Sequence, residues 1–171
     1  MKPAAPRETP PFSFLGEEFL LWLWHHCETA DGTFELPDQS AVGVALDDFL
    51  CLGDANPDET EQTLRRGLPT RSAEATAALQ AGKRVKRARL LIAEDGRQWS
   101  VVLDHELRLR SVRCEAEDKE EAGDVSAARI AGFLRLGEIV DGLYHRFLTA
   151  RLMPGWHKDT APRIRRWIAG R

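Results

Sequence analysis

With 171 residues, 19.2 kDa, 43% hydrophobic and 30% charged residues, the chain has the size and composition of one globular domain that buries its own core. That composition excludes a collagen-like or wholly disordered chain. The longest unbroken apolar run, Phe19 to Trp24, falls far short of the about 20 residues that a bilayer-spanning helix needs, so no membrane partner is expected. The net charge of −3 conceals blocks of alternating sign: residues 1–82 carry −9, 83–113 carry +5, 114–128 carry −5 and 129–171 carry +6.

The opening MKPAAPRETPP is proline-rich and lacks the apolar centre of a signal peptide. Residues 1–11 are therefore expected as a disordered leader and the cytoplasm as the compartment. From Phe14 the spacing of Leu15, Phe19, Trp22, Leu23 and His26 predicts a helix, with Ser13 as its cap and Glu17 and Glu18 near its positive end. FLLWLW is apolar nearly all the way round, which predicts burial on more than one side or an association surface. Phe19, Trp22 and Trp24 are the residues expected to dock a protein partner or a second copy of the chain. Asp31-Gly32 ends the helix.

Thr33–Leu36 and Ala41–Leu46 flank the turn Pro37–Ser40 as a hairpin; Asp48–Leu52 is expected as a third strand and Thr60–Leu64 as a fourth. Ser72–Ala81 is an alanine-rich helix closed by Gly82. Val85–Ile92 alternates, and Asp95-Gly96 turns it into Gln98–Leu103. Leu107–Arg113 completes a three-stranded meander, with Leu107, Leu109 and Ser111 on one face and Arg108, Arg110 and Val112 on the other. Glu115 to Gly123 is a charged linker. Asp124 or Ser126 then caps a long helix to about Met153, and Trp156–Ile168 forms a last helix interrupted near Pro162. The expected class is α+β over residues 12–171: antiparallel sheets, a hairpin region plus a meander, packed with an aromatic N-terminal helix and a long C-terminal helix.

Catalytic signatures are missing. No phosphate-binding glycine loop, nucleophile elbow or zinc-protease motif occurs, and His105, His145 and His157 lack a nucleophile nearby in sequence. His25, His26 and Cys27 are consecutive, so on a helix they point about 100° apart and do not converge on one ion. Asp47, Asp48, Asp54 and Asp58 sit among turn residues and read as a solvated acidic loop rather than a nuclease metal site. Cys27, Cys51 and Cys114 show no CxxC spacing and are expected to be reduced and structural. No catalytic residue, metal, cofactor or small-molecule substrate is expected.

The basic zones point to a polyanion. Lys83, Lys86, Arg87 and Arg89 open one strand, and Arg97, Arg108, Arg110 and Arg113 come from the two strands beside it. If Arg87 and Arg89 share a sheet face with Arg108 and Arg110, they form a surface that neutralises phosphates without reading bases, helped by Arg163, Arg165 and Arg166 in the last helix. The acidic first half points instead to a protein-interaction module that docks through the aromatic helix.

Several stretches in order resemble the recombination-associated protein RdgC family, chiefly its C-terminal part. They are Phe14 to Trp24, Leu46 to Leu52, Ala77 to Leu90, Trp99 to Asp104 and Leu143 to Leu148. The resemblance implies a non-catalytic protein that binds DNA with little sequence preference, associates as a ring-like dimer around the duplex and limits recombinase access. It also implies a nucleoid-associated setting. This chain is shorter than the family's usual members, and the DNA-binding residues named above come from charge patterning alone.

Overall fold

The computed structural model describes residues 13–54, 61–116 and 125–171. The expected leader, residues 117–123 of the linker, and Asp58 and Asp124 lie outside that set. Among the described residues, four α-helices pack with a six-stranded antiparallel sheet, as expected for an α+β chain. The order is α1 (Ser13–Thr29), β1 (Thr33–Glu35), β2 (Ala41–Gly53), β3 (Gln62–Arg65), α2 (Ala73–Gln80), β4 (Arg84–Glu94), β5 (Arg97–Asp104), β6 (Leu109–Ala116), α3 (Val125–Leu152) and α4 (Ala161–Ala169). A 3-10 turn, Pro69–Arg71, precedes α2, and a π-helical turn, Trp156–Thr160, leads into α4. Pro162 thus sits in the first turn of α4, where its missing N–H costs nothing, and does not interrupt the helix.

The sheet runs β1-β2-β4-β5-β6, and β3 pairs with the other half of the β2 edge that β1 occupies. The two strands expected over Ala41–Leu46 and Asp48–Leu52 are one long strand. Leu46 pairs with Leu90 and Leu50 with Ala88, so Asp47, Asp48 and Phe49 of β2 span the single residue Arg89 of β4. This irregularity lets β2 continue with its apolar residues still facing the helices. A second irregularity, between Cys51 and Leu52, places Val85 and Lys86 together on the buried side of β4.

One face of the sheet carries the core. Leu90, Ile92, Trp99, Val101 and Leu103 are fully buried there against α1 and α3. Helix α1 fills the centre: Phe19 and Trp24 have no exposed surface and Trp22 retains 8%. Phe19 packs edge-on to Tyr144 and beside Phe147, Trp22 packs against Phe34, and Trp24 meets Trp167 nearly at right angles. The expectation that these three aromatics form a partner interface is corrected by this packing. A helix apolar all round is here sandwiched between a sheet and two helices, so its aromatics meet their own chain.

Polar ties hold the layers in register. Glu17 on α1 is buried and accepts from Lys86 Nζ and, at 2.9 Å, from Arg84 Nη1, both on β4. Gly16 beside it is obligatory, since a Cβ there would collide with the carbonyl oxygen of His105. Arg135 of α3 reaches Glu94 and Asp38 and donates to Ser40 Oγ at 2.8 Å. Hydrogen bonds from Ser40, and then from Arg135, hold the Asp38 carboxyl at about 2. Ser72 caps α2 by accepting from Ala75 N, and Gly82 follows at φ +87. No helix among the described residues is long and apolar enough to cross a membrane.

Candidate nucleic-acid interface

The face of the sheet turned away from the helices carries arginines in cross-strand register. Arg89 pairs with Val102, which pairs with Arg110; Arg87 pairs with Asp104, and Arg108, one residue before the Leu103–Leu109 pair, continues that row. Opposed residues share a face, so Arg87, Arg89, Arg108 and Arg110 project together from β4 and the start of β6. Arg113 joins them because Ser111, at φ +52, is an extra residue: Val102 pairs with Arg110 and Ser100 with Arg113. Simple alternation would have turned Arg113 away. The same shift turns Val112 toward the core, opposite to the expected assignment.

Two further residues belong to this face. Phe49 pairs with Arg65 of β3, and the Arg65 guanidinium stands 5.4 Å from the Phe49 ring centre. Arg65 lies one residue beyond the strand expected over Thr60–Leu64, so the sequence pattern left it out.

Six of the expected binding residues lie elsewhere. Lys86 is 8% exposed and points into the helical side, held by Glu17, because it alternates in step with the buried Ala88, Leu90 and Ile92. It is not available to a phosphate. Arg97 follows the register of Trp99 and Val101 at the hairpin tip, on the opposite side of the sheet from Arg89. Lys83 precedes β4 and stands 4.0 Å from Asp54. Arg84, which the charge pattern also contains, is tied to Glu17. Arg163, Arg165 and Arg166 are exposed on α4, which packs against α1 and α2 on the helical side and so does not extend the sheet-face cluster.

The sheet-face arginines are matched by carboxylates. Arg87 Nη2 donates to Glu61 at 2.5 Å and to Cys51 Sγ at 3.4 Å, and Arg89 stands 3.4 Å from Asp48. Arg110 stands 3.4 Å from Asp104, and Arg108 contacts Glu106. Arg113 has no ion-pair partner among the described residues. Partial burial raises the Cys51 thiol pKa, with the bonds from Arg87 and Thr63 opposing it, so Cys51 acts as a neutral acceptor. Burial pushes Cys27 up to about 12, where it donates to Val44 O at 3.1 Å. Cys27, Cys51 and Cys114 are all free thiols.

A scan against protein-family models finds no match to this chain, and a search of curated proteins finds no relative. A polar cleft of about 310 Å³ lies beside the arginines, lined by Arg89, Arg113, Asp48, Ser100, Gln98 and Glu115 among others. Asp48 Oδ1 and Arg89 Nε are both buried there without a hydrogen-bond partner. Among the described residues, no three His, Cys, Asp or Glu converge where they could hold an ion. The face can offer guanidinium groups to phosphates in a row set by strand spacing, provided that phosphate displaces carboxylate.

Proposed function

We propose that this chain is a non-catalytic, sequence-tolerant DNA-binding accessory of recombination or nucleoid maintenance, acting in the cytoplasm and engaging the phosphate backbone through the open sheet face. The observation that carries the reading is the register placing Arg87, Arg89, Arg108, Arg110 and Arg113 on one face, away from the helices among the described residues. Exposed arginine–carboxylate pairs are each worth only about 0–1 kcal/mol, so a phosphate array can compete for the guanidinium groups. The resemblance to the RdgC family supplies the recombination setting.

The carboxylates also define how such binding would behave. They leave the face close to neutral, so affinity is expected to be weak at physiological salt and strong only when ionic strength is low. Each phosphate neutralised on duplex DNA contributes about −0.9 to the slope of log affinity against log salt. Fluorescence anisotropy with labelled duplexes of unrelated sequence, from about 50 mM to about 200 mM salt, tests the reading. Equal affinities and a steep slope support it. Absence of binding to both duplex and single-stranded DNA at the low end rejects it.

A second reading, a protein-interaction module, is favoured by one observation. Ile130, Phe133 and Leu134 of α3 are 59%, 49% and 65% exposed and spaced to form one stripe. The docking helix of that reading is thus α3 rather than α1. Its test is loss of a pulled-down partner on Phe133→Ser/Leu134→Ser with the fold retained.

A further inference from the structure

On the helical side, α4 lies along the C-terminal half of α1 and leaves a groove of about 740 Å³. Its walls combine guanidinium, imidazole, hydroxyl and indole groups: Arg163, Arg166, His25, His26, Thr160 and Trp167. Trp167 stands nearly perpendicular to the His25 ring, with centres 5.4 Å apart. The volume falls inside the about 300–1,000 Å³ common for small-molecule sites.

The charge of this groove sets it apart from the clefts beside the sheet. Both of those contain carboxylates, Glu94, Asp95 and Glu115 in one and Asp47, Asp48 and Glu115 in the other, whereas no Asp or Glu lines the groove. Glu28 accepts from Trp24 Nε1 and Arg171, and Asp31 Oδ1 accepts from Thr33 N, while Asp159, next to Thr160, does not line the groove. Arg163 and Arg166 have no ion-pair partner among the described residues; the one bond recorded for either is from Arg166 Nε to the Pro162 carbonyl at 3.4 Å. Two unmatched guanidinium groups, three residues apart on one helix, face two imidazoles and an indole.

We propose that the groove binds a phosphate monoester joined to a planar base, supplied either by a free nucleoside monophosphate or by the phosphorylated end of a nucleic-acid strand. Arg163 and Arg166 take the phosphate, which matches their combined charge and their planar donor geometry. Trp167, with the Arg171 guanidinium 4.5 Å from its ring centre, offers its remaining face or edge to the base, and Thr160 and the imidazoles supply neutral hydrogen-bonding groups around the sugar. Burial lowers both histidine pKa values. Arg163 and His26 oppose protonation of His25 and Glu28 favours it, while Arg146 opposes protonation of His26 and Asp31 and the Thr33 backbone favour it. The imidazoles are therefore neutral at pH 7, and the guanidinium groups carry the positive charge.

This proposal does not depend on the sheet-face reading. Calorimetric titration of the full chain with AMP, adenosine and inorganic phosphate tests it, beside short single strands bearing a 5′-phosphate or a 5′-hydroxyl. AMP or the 5′-phosphorylated strand is expected to bind, adenosine and the 5′-hydroxyl strand at least about tenfold more weakly. Arg163→Gln/Arg166→Gln, two exposed positions without ion-pair partners among the described residues, should abolish the preference for phosphate. Arg87→Gln/Arg89→Gln/Arg108→Gln/Arg110→Gln should keep it, which separates this site from the sheet face. Binding of AMP alone identifies a free nucleotide as the source, and tighter binding of the 5′-phosphorylated strand identifies a strand end. The proposal is overturned if neither phosphorylated probe binds, if adenosine binds as well as AMP, or if the Arg163/Arg166 variant binds AMP unchanged.

Discussion

The basic stretches of the strands and of α4 meet different fates. Arginines on the strands acquire neighbours from remote parts of the sequence, and those neighbours are acidic. Arg87 meets Glu61, Arg89 meets Asp48 and Lys83 meets Asp54, all three drawn from the acidic block that ends at residue 82. Arginines on α4 are exposed beside their own helical neighbours, Pro162, Ile164 and Trp167, and Arg163 and Arg165 find no ion-pair partner among the described residues. A basic stretch on a strand is thus a basic surface only if the strands beside it are not acidic, whereas α4 carries its charge outward directly, unlike Arg135 and Arg151 of α3, which meet Glu94, Asp38 and Glu18.

The most damaging way to test that contrast is to remove a carboxylate where the match is buried rather than exposed. Glu17→Ala leaves Lys86 without its anion beneath α1, and breaking a buried pair from one side costs about 3–5 kcal/mol. Denaturant unfolding should show that loss. Lys86→Met, which removes the buried cation and still leaves Arg84 to meet Glu17, should cost clearly less. Equal costs for the two variants would show that packing, not charge, holds α1 to β4.

Next in size is the sheet face itself. Arg87→Gln/Arg89→Gln/Arg108→Gln/Arg110→Gln should lower low-salt affinity for all duplexes alike by about tenfold or more and flatten the salt slope, by up to about 0.9 for each phosphate contact removed. Stability should change by no more than about 1 kcal/mol for each of Arg87, Arg89 and Arg108, whose pairs lie largely at the surface, and by more for Arg110, whose partner Asp104 is buried. Unchanged DNA affinity in a folded variant would remove the sheet face from the function.

The legible and illegible parts of the molecule divide along the same line. Local signals were readable: the Pro37–Ser40 and Asp95-Gly96 hairpins, the Ser72 cap with Gly82, and the extent of α3 follow from turn residues, caps and periodicity. The shared facing of Arg87, Arg89, Arg108 and Arg110 also follows from alternation. What alternation cannot show is an inserted residue. Ser111 brings Arg113 to the open face and turns Val112 inward, and the β2–β4 irregularity turns Val85 inward beside Lys86. The partners of each arginine were equally hidden, because Glu61 and Asp48 reach Arg87 and Arg89 only through long-range pairing. The apolar α1 left burial and association both open, and only the placement of Tyr144, Phe147 and Trp167 around it decides for burial.

The helical side should respond to pH in a way that the sheet face does not. His25 and His26 have folded pKa values below the ordinary value of about 6.5, with burial the main cause. The unfolded chain then binds more protons than the folded one below that value, so stability is fully present above about pH 6.5 and declines as the pH falls through the lowered folded values. Denaturant midpoints between about pH 7 and pH 5 should fall, and His25→Gln/His26→Gln should flatten the decline. A midpoint that rises over this interval would reverse the assignment.

The smallest expected change is the most discriminating for the matched face. Neutralising Glu61 and Asp48 as Glu61→Gln/Asp48→Asn leaves side chains of nearly the same shape beside Arg87 and Arg89 while removing two negative charges. If carboxylates hold the face near neutrality, phosphate no longer has to displace an anion, and low-salt affinity for duplex DNA should rise a few-fold with a somewhat steeper salt slope. Stability should barely move, because exposed pairs of this kind contribute about 1 kcal/mol at most. The alternative is that these carboxylates position the guanidinium groups, so that removing them lets Arg87 and Arg89 wander. Affinity would then fall while the salt slope stayed the same. Anisotropy titrations at two ionic strengths separate the outcomes, since a screened charge changes the slope and lost positioning does not.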